Sequence, residues 1–124
     1  MDEVQQRLFQ LHAEICKTLA SPKRLEILHW LRGGEKSVDE LAELTRMQKS
    51  SLSQHLALMR DKRLVEARRQ GLYVFYRVSN LRILQACDIL KDVLREYLEA
   101  AQEIASLLAT DDKKASLTDE GDRQ

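Results

Sequence analysis

Lys49, Ser50, Ser53, Gln54 and Arg60 are the side chains whose types and spacing best match a definable chemistry. Lysine and arginine hold phosphates by charge, and serine hydroxyls suit a phosphate or a base edge. A glutamine amide can pair with both N6 and N7 of adenine. These five residues lie within Met47–Arg60, which reads as one helix. Leu52, Leu56 and Met59 recur at spacings of four and three and form its apolar stripe. A face that is merely solvated more often alternates Glu and Lys. The pattern describes a helix packed on one side and open to duplex DNA on the other.

Net charge does not advertise this role, because 20 Lys and Arg balance 20 Asp and Glu. The distribution does. Residues 46–77 carry eight Lys or Arg (Arg46, Lys49, Arg60, Lys62, Arg63, Arg68, Arg69, Arg77) against only Asp61 and Glu66. Residues 78–124 carry six against ten. The basic block coincides with the reading helix and the segment after it, as a nucleic-acid footprint requires. No apolar run approaches the ~20 residues that span a bilayer. The N-terminus lacks a signal-peptide pattern, so a cytoplasmic location without membrane contact is expected. Two cysteines in 124 residues make no disulfide framework. No Ser-His-acid set, glycine-rich phosphate loop or paired-carboxylate pattern is present, so no catalytic constellation and no cofactor are expected.

The elements that must position the reading helix follow from periodicity and caps. Val4, Leu8, Leu11, Ile15 and Leu19 predict a first helix over about 3–19. Ser21-Pro22 reads as an N-cap and first helical residue, opening a second helix with Leu25, Leu28 and Leu31 inward. Gly33-Gly34 ends it. Ser37 and Glu40 form a capping-box pattern for a third helix over about 37–45, burying Val38, Leu41 and Leu44. A short turn at Arg46-Met47 leads into the reading helix. Leu64–Arg68 and Tyr73–Val78 predict a two-stranded hairpin that turns at Gln70-Gly71, with Arg68 and Arg69 near its tip. Such a hairpin is too small to stand alone and must pack on the helices. His29 is expected as a partly buried helix residue, and Trp30 as packing on the first or third helix.

Ser79 or Asn80 should cap a long last helix over about 80–108. Its residues Ile83, Cys87, Leu90, Leu94, Tyr97, Ala101, Ile104 and Leu108 repeat as a heptad seam. The preceding residues cannot cover such a rod. A two-fold partner would, with Leu8, Leu11, Ile15, Ile83, Leu90, Leu94 and Tyr97 at the interface. The expected fold is therefore mainly α with a small β-hairpin. It is a winged helix-turn-helix of about five helices and a two-stranded wing, spanning residues 1–109 and dimerising through its first and last helices. Residues 110–124 are acidic and polar and are expected to be a disordered tail.

The run Leu19–Leu28 (Leu-Ala-Ser-Pro-Lys-Arg-Leu-Glu-Ile-Leu) resembles the opening signature of the ArsR/SmtB family of small bacterial winged-helix repressors. The resemblance continues through Ser37–Leu41, Ser50–Leu56, Leu64-Val65 and Gly71–Tyr76. It implies a dimeric repressor released from double-stranded DNA by a metal ion, a metalloid or a thiol modification. It places Gln48, Lys49, Ser50, Ser51, Ser53, Gln54 and His55 in the reading helix. Arg68, Arg69 and Gln70 would clamp or enter the neighbouring minor groove. His55 could contact phosphate or help dock the helix. Many relatives carry Ser where this chain has Gln48, so the reading helix is capped less securely here.

The family's usual sensors are missing. Where metal-sensing members carry Cys-x-Cys, this chain has Val38-Asp39-Glu40, and no histidine follows His55. Persulfide-sensing members commonly place Cys where this chain has His29. Cys16 and Cys87 remain. The resembled fold packs their helices together at the dimer interface, within reach of a disulfide or polysulfide bridge. Packing as small hydrophobes is an equal reading. A third uses His12, Cys16, Cys87 and Asp88 as four mixed metal ligands. The sequence thus points to a homodimeric repressor on an inverted repeat, answering a small inorganic or sulfur-species effector. A winged-helix interaction module without DNA contact is the alternative.

Overall fold

All the helices but the reading helix begin where a side chain can satisfy a free amide. The structure, a computed structural model, describes the backbone through Asp122 and side chains through Asp111. The tail expected over 110–124 falls outside the described side chains from residue 112 onward. Helix α1 (Glu3–Leu19) opens with a capping box that the sequence reading missed: Asp2 accepts from the Gln5 amide at 2.8 Å, and Gln5 reaches back. Helix α2 (Pro22–Leu31) has Ser21 as N-cap and proline in its first turn, as expected. Strand β1 (Lys36–Ser37) precedes α3 (Val38–Thr45), and Ser37 caps α3 by accepting from the Glu40 amide at 3.1 Å. The Glu40 carboxylate accepts from the Ser37 hydroxyl. Helix α4 (Lys49–Asp61), strands β2 (Val65–Gln70) and β3 (Tyr73–Val78), and helix α5 (Arg82–Asp122) follow. Asn80, whose side chain accepts from the Arg82 amide at 3.0 Å, precedes α5.

The sheet has three strands where two were expected, in the order β1-β3-β2, all antiparallel. The extra strand is only two residues long, too short to show periodicity in sequence. The turn is one residue later than expected. Gln70 pairs with Tyr73, so Gly71-Leu72 forms the tip, with Gly71 at φ 61° in the left-handed region that favours glycine. Arg68 and Arg69 lie in β2 near the tip, as expected, two pairs and one pair back from the Gln70–Tyr73 pair that closes the turn.

The core comprises Ile27, Leu28 and Leu31 of α2, Leu41 of α3, Leu52, Leu56 and Met59 of α4, and Leu64, Val65, Val78 and Leu84. Leu25 and Leu44, expected inside, are exposed. On α2 the inward face is centred on Ile27 and Leu31, four apart, which turns Leu25 outward. On α3 the inward pair is Leu41 and Thr45, and the Thr45 hydroxyl donates to the Leu41 carbonyl at 2.6 Å. Trp30 packs against the core, whereas His29 is exposed, contrary to expectation, and meets the indole edge-on at 5.1 Å.

The chain divides into two units, Met1–Gln85 and Ala86–Gln124. The first holds the helix-turn-helix and sheet. The second continues α5, with Ile89, Leu90, Leu94, Tyr97, Leu98, Ile104, Leu107 and Leu108 exposed. In the first unit α1 exposes Val4, Leu8, Phe9 and Leu11, while Ile15 and Ile83 rest against the core. Among the described residues no helix is long and apolar enough to cross a membrane.

Candidate nucleic-acid interface

The α3–α4 turn is set by backbone geometry. Arg46 closes α3 in the left-handed region at φ 58°, and the Thr45 hydroxyl accepts from the Met47 amide. Gln48 is the N-cap of α4 but makes no side-chain cap hydrogen bond, in line with the weak cap read from sequence. The first amides of α4 therefore stay open to an anion. Leu52, Leu56 and Met59 are 0 % exposed and fix the helix by its inner side. Ser50, Ser51, Ser53 and Gln54 are exposed, and their side chains make no hydrogen bond among the described residues.

Two other expected reading residues are engaged. The Lys49 ammonium lies 2.6 Å from an Asp39 oxygen on α3. That hydrogen bond, reinforced by the carboxylate's charge, raises the lysine pKa. His55 is half-buried, and its Nδ1 accepts from Arg24 Nε of α2 at 3.1 Å. Arg24 also donates to the Thr18 carbonyl at 2.9 Å. Burial first, then the charges of Arg24 and Lys23, lower the His55 pKa below the usual 6.5. The neutral ring is thus a docking group between α2 and α4, which favours the second of its two expected roles.

In the wing, Arg68 is committed internally. Its guanidinium meets Glu35 through Nη2 at 2.5 Å and Nε at 3.1 Å, donates to Gln70 Oε1 at 2.8 Å, and lies over the Phe75 ring at 4.8 Å. The hydrogen bond from Arg68 holds the Glu35 pKa below the usual range. Arg77 pairs with Glu66 at 2.7 Å, and Lys62 reaches Glu14 at 3.5 Å. The partners Glu14, Glu35 and Asp39 all lie outside residues 46–77, so the balance of that window overstates its free positive charge. Arg46, Arg60, Arg63 and Arg69 have no ion-pair partner among the described residues. Of the expected wing contacts, only Arg69 is uncommitted.

Between the reading helix and the wing tip runs a groove of about 260 Å³ lined by Ser37, Val38, Asp39, Lys49, Ser53, Leu72, Tyr73 and Val74. Sequence reasoning missed Asp39, Tyr73 and Leu72, the last 99 % exposed at the tip. It also missed Arg24 and Glu35, whose partners lie 31 and 33 positions away, beyond any local pattern. Cys16 is exposed on α1 in the first unit, and Cys87 is partly buried on α5 in the second. Among the described residues no three His, Cys, Asp or Glu are grouped to hold a metal ion.

Known proteins share this architecture. The pattern of the family described as "Bacterial regulatory protein, arsR family" matches residues 21–67. The HTH-type transcriptional regulator KmtR of Mycobacterium tuberculosis is 43% identical over 75 residues; the match spans 60% of this chain and 58% of KmtR's length. The transcriptional activator HlyU of Vibrio cholerae is 36% identical over 88 residues, or 71% of this chain and 79% of HlyU. The homodimeric winged helix-turn-helix DNA-binding domain Mb0332 from Mycobacterium bovis superposes with a TM-score of 0.72 at 31% identity. That superposition covers 80% of this chain and 92% of the solved domain.

Proposed function

The chain belongs to the arsR family of bacterial regulatory proteins and is a winged helix-turn-helix transcriptional regulator, and from that premise we propose that it works as a homodimeric repressor on an inverted-repeat operator. The observation that carries this reading is the outer face of α4. Four small or amide side chains stand exposed there without internal partners, while three buried apolar residues hold the other side. In a core, unpaired polar groups would be costly; at a DNA interface they are what reads base edges.

The dimer rests on the uncovered apolar residues of α1 and α5, each of which forgoes about 1.5–3 kcal/mol of burial while it faces water. A second copy removes that cost and, by two-fold symmetry, sets half-sites about one helical turn or a small multiple apart. Repression is preferred to the activation named for HlyU because a dimer seated on an operator blocks it without further contacts.

The effector reading uses the thiols. Cys16 is exposed, so an oxidant or a sulfane-sulfur donor can reach it. A disulfide between Cys16 and Cys87 would release two protons and pass two electrons to that oxidant. It needs Cα atoms within ~7 Å, in one protomer or across the dimer. A Cys16→Ser variant that still leaves DNA under oxidant as the parent does would end this part of the reading.

The function itself is tested by mobility shift on the inverted repeat upstream of the chain's own operon, expected to bind with steep salt dependence. Replacing Ser53 and Gln54 together with Ala should abolish preference for that duplex over a shuffled one while leaving most of the total affinity. The alternative, an interaction module without DNA contact, draws on the internal pairing of Lys49, Lys62, Arg68 and Arg77. Absence of a shift on any duplex, at any salt, would favour it.

A further inference from the structure

Resting on the DNA-binding reading above, we infer that Asp39 is a built-in counter-anion: in the free protein its carboxylate holds Lys49 at the place an operator phosphate takes, and the two exchange on binding. The pair joins two helices by one short contact, Lys49 Nζ to Asp39 Oδ1 at 2.6 Å, with the side chains 66% and 53% exposed. It is thus open to water and to an incoming phosphate, and it is not a buried strut.

Its position matters as much as its exposure. Lys49 is the first residue of α4, and the N-cap side chain of that helix makes no bond. The ammonium and the open amides therefore face the same approach. Asp39 lines the same groove as Lys49, together with Ser53 and Tyr73. The negative charge beside the opening of α4 is supplied by the chain itself.

The exchange leaves neither group stranded. Asp39 lies in the first turn of α3, where the helix dipole stabilises a carboxylate without any cation. Lys49 gains a phosphate in return. The Arg68–Glu35 pair differs in kind. It is bidentate and is further fixed by Gln70 and Phe75, so displacing it would undo several contacts together. Of the ion pairs described above, the Lys49 pair alone is both single-bonded and placed at the entrance to the reading helix.

Because phosphates carry no sequence information, Asp39 tempers binding to every duplex alike. The test compares parent, Asp39→Asn, Lys49→Ala and the double variant, each binding the operator-bearing duplex and a shuffled duplex of equal length across a salt series. Asp39→Asn is expected to bind both duplexes about two- to fivefold more tightly. Its salt slope should stay close to the parent's, because Lys49 meets the same phosphate in both, whereas Lys49→Ala should flatten the slope by about 0.9 per protomer. The ratio between duplexes should be unchanged for Asp39→Asn. In the Lys49→Ala background the gain should vanish. An unchanged or weakened affinity for Asp39→Asn overturns the inference. So does a gain that survives in Lys49→Ala, since Asp39 would then act only through its long-range field. If the parent binds neither duplex, the underlying DNA-binding reading fails instead. Asp39 is exposed, so the variants should melt with the parent.

Discussion

On the outer face of α4, Ser50, Ser51, Ser53 and Gln54 make no side-chain hydrogen bond among the described residues, whereas in the wing Arg68 and Arg77 give their guanidinium groups to Glu35 and Glu66. Both regions look polar and basic in sequence. They differ in what each must do before a ligand arrives. Helix α4 is held by Leu52, Leu56 and Met59, so its other side can be left uncommitted. The wing consists of two six-residue strands and a two-residue third strand, held to the core at its base by Val65 and Val78, while toward the tip its residues are exposed or half-buried. Its charges serve its own order. Availability for recognition depends on how a segment is anchored, not on its composition.

That contrast can be broken at several points. The largest effect should come from the anchored side of α4. Leu56→Ala is expected to lose about 2–5 kcal/mol of stability, measured by thermal or urea melting. A variant that melts with the parent would mean that α4 is not held from within.

On the open side the expected outcome is reversed. Ser53→Ala with Gln54→Ala should stay within about 0.5 kcal/mol of the parent in melting. It should lose about 1–3 kcal/mol of discrimination between operator and shuffled duplex. A large fall in melting temperature would show that these side chains are structural after all.

The wing supplies the third comparison. Glu35→Gln removes the charge that fixes Arg68. Faster amide exchange in β2 and β3 and weaker binding to both duplexes should follow, with sequence preference intact. Tighter binding would instead mark Arg68 as a restrained phosphate contact, like Lys49.

The smallest effect concerns His55, which belongs to both regions' problem because it docks α4 on α2. Its pKa is lowered on folding, so the unfolded chain binds the proton more readily. The contribution is fully present above the usual 6.5 and is lost as pH falls through the lower folded value. Stability should therefore decline modestly on acidification across that window, and His55→Gln should flatten the decline. A His55→Gln protein with the parent's pH profile would contradict the assignment.

Much of this was legible before any coordinates. All five helices and the wing hairpin were marked by caps or apolar periods, and the inner stripe of α4 is as the spacing required. What was not legible is nonlocal. Lys49 looked free because Asp39 lies on the preceding helix, and Arg68 looked free because Glu35 lies 33 residues earlier. Leu25 and Leu44 were misplaced because three-residue spacing fits two neighbouring faces of a helix, and Ile27 and Thr45 settled which one turned inward. Leu84 was passed over for the heptad seam, although it is the α5 residue that enters the core.

Ser37 carries a mechanical consequence. Its backbone is paired with Phe75 across the sheet, its hydroxyl begins α3, and it is 5% exposed. One residue is thereby stitched to the wing on one side and to the first helix of the DNA-binding pair on the other. A tilt imposed on the wing cannot be absorbed there; it is passed like torque through a shared rivet to the helix that orients α4. Evolution or engineering that reshapes the wing will therefore retune how the neighbouring helices seat in their groove.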